Sequence, residues 1–96
     1  MNYNKLTPAE TERLACLAEE CAEVIQAVGK ILRHGYEEFN LTLQKRMENR
    51  LELEKEMGDL RYSMIAMCEA GDVDKERIHT FADSKRNAVK QWLHHQ

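Results

Sequence analysis

Leu17-Ala18-Glu19-Glu20-Cys21-Ala22-Glu23-Val24-Ile25-Gln26-Ala27 and, further on, Glu56-Met57-Gly58-Asp59-Leu60 are the two stretches on which the fold turns. Each reads as part of an amphipathic helix, and residues three apart on a helix share a face. Glu20 and Glu23 therefore point the same way, as do Glu56 and Asp59. In an antiparallel helical hairpin, residues equidistant from the turn come level with one another. Glu20 and Asp59 share a midpoint with Glu23 and Glu56, between Phe39 and Asn40, inside the one stretch between them that looks like a turn. Four carboxylates are thus expected at one level of the hairpin, where repulsion is severe unless a cation sits among them.

Working outward, Thr7-Pro8-Ala9-Glu10 has the form of a helix start. Thr7 caps, Pro8 fits the first helical position, and Glu10 reaches back to the Thr7 amide. The first helix is expected to run from there to about His34, with a seam of Leu14, Leu17, Cys21, Val24, Val28 and Ile31, widened by Ile25 and Leu32. Gly35 suits its C-terminal cap, and Tyr36-Glu37-Glu38-Phe39-Asn40 makes the connection, with two aromatics able to fold back on the hairpin. A second helix is expected from near Asn40 or Thr42 to about Ala70, less regular over Leu43 to Arg50, with Leu53, Met57, Leu60, Met64 and Met67 as its best periodic run. Gly71 closes it. Asp72 or Asp74 caps a third helix carrying Ile78, Phe81, Ala82, Val89, Trp92 and Leu93 on one side. The expected fold is all-α, a helical hairpin plus a C-terminal helix, with residues 1–96 as a single domain that completes a helix bundle by oligomerisation.

Composition narrows the function. A net charge of -3 and a pI near 5.8 argue against nucleic acid as a partner. No apolar run approaches the ~18 residues of a membrane span, and MNYNKLTPAE lacks the apolar core of a signal peptide, so no membrane partner and a cytoplasmic setting are expected. Cys16, Cys21 and Cys68 have no CxxC spacing and read as reduced thiols packed like small apolar residues. His34, His79, His94 and His95 form no zinc pattern. Met47, Met57, Met64 and Met67 read as adaptable core or interface filler.

Either acidic pair alone is common on a solvated helix face. Their combination, beside apolar seams and level across a turn, points to a hard cation. No Lys or Arg stands ready to pair with every acid. Mg²⁺ prefers oxygen ligands and is held by carboxylates together with substrate phosphates. Such a site neutralises polyphosphate charge and lowers the pKa of an attacking water. Glu19, turned about 100° from Glu20 on the helix, is a candidate base or supporting residue, with a solvated side chain as the alternative. Glu10, Glu12, Glu37, Glu38, Glu48, Glu52 and Glu54 are expected to be ordinary surface charge.

These residues resemble the EExxE and ExxD motifs of MazG-like proteins in the all-α nucleoside triphosphate pyrophosphohydrolase superfamily. The resemblance covers the two central helices and extends weakly into the last. It implies Mg²⁺-dependent hydrolysis of a nucleoside triphosphate or its deoxy form to monophosphate and pyrophosphate, with Glu20, Glu23, Glu56 and Asp59 as metal ligands and Mn²⁺ as an alternative ion. It also implies a homodimer or homotetramer in which neighbouring subunits complete the bundle. Lys85 and Asn87 resemble a basic-plus-amide pattern that contacts substrate in relatives, and Lys30 and Arg33 are further candidates for phosphate; a plain charged helix face is the alternative for all four. Lys55 departs from the pattern, standing where relatives often carry another acid. The interval from Glu23 to Glu56 is also long. Phosphoribosyl-ATP pyrophosphohydrolase, and a non-enzymatic helical interaction or regulatory module, are the competing readings.

Overall fold

The structure is a computed structural model that describes residues 3–38 and 48–96. Its elements are α1 (Pro8–His34), α2 (Asn49–Ala70) and α3 (Lys75–Val89), and no strand element occurs among the described residues. The all-α expectation is met. Two compact units divide the chain, Met1–Ala66 and Met67–Gln96.

In the first unit, α1 begins as its sequence requires. The Thr7 hydroxyl accepts from the Glu10 amide at 3.1 Å, and the Glu10 carboxylate accepts from the Thr7 amide at 2.8 Å, closing a capping box with Pro8 at the start of the helix. Such a cap contributes about 1 kcal/mol. At the other end Gly35 takes φ 86°, a conformation open to glycine, and its amide reaches the Ile31 carbonyl at 2.7 Å.

The face of α1 that turns inward differs from the expected seam. Leu17, Glu20, Val24 and Ile31 are half-buried, and Ala27 is only 2 % exposed. Leu14, Cys21, Ile25, Val28 and Leu32, expected in or beside the seam, are exposed. With Ala18 they make a second stripe at alternating steps of four and three. The helix carries two apolar stripes side by side, and the hairpin partner α2 covers only one of them.

The helix as described in α2 begins at Asn49; the expected start near Asn40 or Thr42, most of the irregular run from Leu43, and Phe39 and Met47 lie outside the described residues. Asn49 is 3 % exposed. Its side-chain amide donates to the Gly35 carbonyl at 3.1 Å and its backbone amide to Glu38 at 2.8 Å, while the Arg50 amide donates to the Tyr36 carbonyl at 2.9 Å. The start of α2 is thereby tied to the end of α1. Arg50 adds a 2.6 Å bond to Glu37 and lies 4.3 Å from the centre of the Tyr36 ring. On α2, Leu53 and Leu60 are half-buried and Ser63 is buried, whereas Met57 and Met64 of the expected run are exposed. The covered stripe advances by sevens from Leu53 and includes Glu56, so its polar members hid it from a hydrophobicity reading.

Lys30 of α1 and Glu52 of α2 pair at 2.8 Å across the hairpin, with the Glu52 side chain only 13 % exposed. Glu52 is thus a helix-to-helix tie rather than ordinary surface charge. Glu37 and Glu48 likewise serve Arg50.

In the second unit Met67 is 4 % exposed, and the turn after α2 is closed by amides of Gly71 and Asp72 bonding to Cys68 and Met67 carbonyls, with Gly71 at φ 82°. Asp74, one of the two expected caps, accepts from the Arg77 amide at 2.9 Å. Trp92 and Leu93 fall beyond α3, and they and Phe81 are exposed.

Candidate metal centre

The stripe of α1 that faces α2 carries Glu20 one turn before Val24, and the matching stripe of α2 carries Glu56 and Asp59. Carboxylate oxygens of these three residues lie within 4.8 Å of one another. The hairpin register therefore brings together acids separated by more than thirty positions in the chain. Glu56 is drawn in, with its side chain 13 % exposed, and Asp59 is more open at 45 %. Partial burial pushes the Glu20 carboxyl above its ordinary range, and the charges of Asp59, Glu19, Glu56 and Glu23 push it further in the same direction. Glu23 stands outside the three-acid group but near enough to act on Glu20. Glu19 is exposed.

One positive charge already sits against these acids. The Lys55 ammonium donates to Asp59 at 3.0 Å and lies 3.6 Å from Glu56. The bond to Asp59, then the Glu56 and Asp59 charges, raises the Lys55 pKa. A basic residue four positions before Asp59 is legible in the sequence; its simultaneous approach to Glu56 is not.

A model of the MazG nucleotide pyrophosphohydrolase domain matches residues 9–89. The chain belongs to the MazG family. The match spans all three helices and agrees with the resemblance carried by the acidic motifs. Neither a curated protein nor a solved structure matches this chain. MazG domains are nucleotide pyrophosphohydrolases and, in general, metal-dependent.

The donor set suits a MazG metal. Mg²⁺ bound at ~2.1 Å places oxygens on opposite sides of its shell roughly 4.2 Å apart. Of three such ligands at most one pair lies opposite and the others sit roughly 3 Å apart, so oxygens spread over at most 4.8 Å would draw in by up to about 2 Å around the ion. The approach of the Lys55 ammonium to Asp59 and Glu56 shows the same demand for positive charge.

Beside the acids an open cavity of about 280 Å³ is bordered by Glu12, Arg13, Cys16, Glu20, Asp59, Tyr62, Ser63 and Ala66. Cys16 and Cys21 are exposed, contrary to the packed state expected for them, and Cys68 is half-buried; all three are free thiols. Tyr62 and Ser63 were not expected at a site. Ser63 falls four residues after Asp59 and seven after Glu56, a spacing that places it on their face.

Of the remaining candidates, Lys30 is engaged by Glu52. Arg33 is exposed in the last turn of α1. Lys85 and Asn87 are exposed on α3, within the second unit. Among the described residues no helix is long and apolar enough to cross a membrane.

Proposed function

We propose that this MazG-family chain is a Mg²⁺-dependent nucleoside triphosphate pyrophosphohydrolase that converts a ribo- or deoxyribonucleoside triphosphate and water to the monophosphate and pyrophosphate. The observation that carries the reading is the meeting of Glu20, Glu56 and Asp59 from two helices within 4.8 Å, in a chain matched over residues 9–89 by the family. The match favours this reading over phosphoribosyl-ATP and over a non-enzymatic module.

Glu20, Glu23, Glu56 and Asp59 would hold the ion. When bound, Mg²⁺ offsets triphosphate charge and acidifies a water. Glu19, adjoining this set, accepts the proton of the water that attacks the α-phosphorus as the bond to the β-phosphate oxygen breaks. The cavity beside Glu20 and Asp59 seats the nucleoside, with Tyr62 offering a ring face to the base. Lys30 acts through Glu52 to fix the hairpin. A second copy of the chain covers the stripe of Leu14, Ala18, Cys21, Ile25, Val28 and Leu32, whose alternating four-three spacing is that of a coiled-coil seam.

The test is product analysis on a panel of nucleoside triphosphates with Mg²⁺, beside a chelator control and Glu56→Gln. Monophosphate plus pyrophosphate, abolished by both controls, is the expected outcome. Release of single phosphate would refute the position of attack.

A further inference from the structure

Lys55 is the chain's departure from the family pattern, and its placement is specific. Helix geometry brings Lys55 against Asp59 one turn on but does not account for its approach to Glu56. A base four residues before an acid is the less favourable order for a helical pair, and Glu56, its neighbour in sequence, projects about 100° away around the helix. The ammonium nonetheless lies between the two, 3.0 Å from Asp59 and 3.6 Å from Glu56. Those carboxylates, with Glu20, form the three-acid group. The Lys55 side chain is 56 % exposed, so its stem is not locked by packing and can swing outward.

We propose that Lys55 is a tethered placeholder cation, which neutralises the acid group while no metal is bound and passes to a phosphate oxygen of the substrate once metal displaces it. The inference rests on the metal-dependent reading above. Positive charges at close range repel, and the Glu56 and Asp59 oxygens that approach the ammonium are among those that would hold the ion, so metal entering the group competes with the ammonium for them. Anchored one residue from Glu56, the displaced ammonium stays within side-chain reach of any triphosphate held there, and Lys serves phosphate as a mobile point charge. Metal binds the empty protein weakly as a result, and binds well together with triphosphate, which receives the released charge. Lys55 is thus a positioning residue in the metal-free state and a substrate contact in the loaded one.

The experiment measures Mn²⁺ binding by electron paramagnetic resonance on the full chain, wild type against Lys55→Met, Lys55→Arg, Glu56→Gln and Asp59→Asn. Helix content by circular dichroism confirms that each variant is folded. Lys55→Met is expected to bind Mn²⁺ alone about tenfold more tightly, the scale of removing one unit charge from about 4 Å at a partly exposed site. Lys55→Arg is expected to stay near wild type. A non-hydrolysable α,β-methylene triphosphate, titrated into Mn²⁺-loaded protein by calorimetry, is expected to bind Lys55→Met several-fold more weakly. Unchanged or weaker Mn²⁺ binding by Lys55→Met overturns the placeholder role, and unchanged or tighter analogue binding overturns the transfer to phosphate. Failure of the underlying metal site is distinct: there Glu56→Gln and Asp59→Asn would leave Mn²⁺ binding intact.

Discussion

Replacing Ala27 by Leu tests whether the hairpin contact sets the geometry of the acids. Ala27 lies between Glu20, which meets Glu56 and Asp59, and Lys30, which meets Glu52, so it faces α2 on the covered stripe. At 2 % exposure it has no room for three more carbons. Overpacking of this kind costs about 1–3 kcal/mol. At ~4–8 °C per kcal/mol for a domain of this size, the midpoint of thermal unfolding should fall by roughly 4–24 °C. Interaxial distances run from about 8 Å with small contact residues to about 10 Å with large ones, so a Leu here widens the hairpin by an amount on the order of 1 Å. Glu20 is seven residues, about 10 Å, along the helix. The acid oxygens lie within 4.8 Å of one another, and a shared Mg²⁺ shell needs neighbouring oxygens roughly 3 Å apart, so any widening moves them further from a common ion. Mn²⁺ affinity is therefore expected to fall more than tenfold, read by resonance titration beside differential scanning calorimetry. Ala27→Gly separates the two effects. It costs about 1 kcal/mol in helix propensity but leaves close approach possible, so stability drops while affinity holds. Ala27→Leu with wild-type affinity would refute the argument that this contact spaces the acids.

Three shorter predictions follow from other parts of the chain. Thr7→Ala removes the hydroxyl half of the capping box and should cost about 1 kcal/mol in urea unfolding, with faster amide exchange at Glu10. Bonding to the Arg77 amide holds the Asp74 carboxyl below its ordinary 3.8, so its contribution to α3 is complete above that value and is lost as the pH falls through the lower folded-state value. The Arg77 amide shift should titrate in that acid range, and Asp74→Asn should abolish the titration. If a second copy covers the exposed apolar stripe as proposed, Ile25→Lys should lower the sedimentation coefficient while helix content is kept; a monomeric wild-type protein or an unchanged coefficient would refute that contact.

Much of the fold was legible before any coordinates. Local interactions act within a few residues, so Thr7, Pro8, Glu10 and Gly35 marked the bounds of α1, and Asp72 or Asp74 marked the start of α3, of which the structure uses Asp74. The level approach of Glu20 to Glu56 and Asp59 was also readable, because an antiparallel hairpin ties axial position to chain distance from the turn. Rotation about the helix axis is a different matter. Which of two adjacent apolar stripes on α1 turns inward depends on what α2 presents, and only packing shows that Ala27 and Glu20 face it while Ile25 and Leu32 do not. The same holds for the pairing of Lys30 with Glu52, which crosses the hairpin, whereas Lys55 and Asp59, four apart on α2, pair within one helix. Sequence spacing determined that the acids would come level; tertiary packing decided that Glu20, Glu56 and Asp59 close to within 4.8 Å while Glu23 stays outside, since contact is set by distances in space and not by separation along the chain.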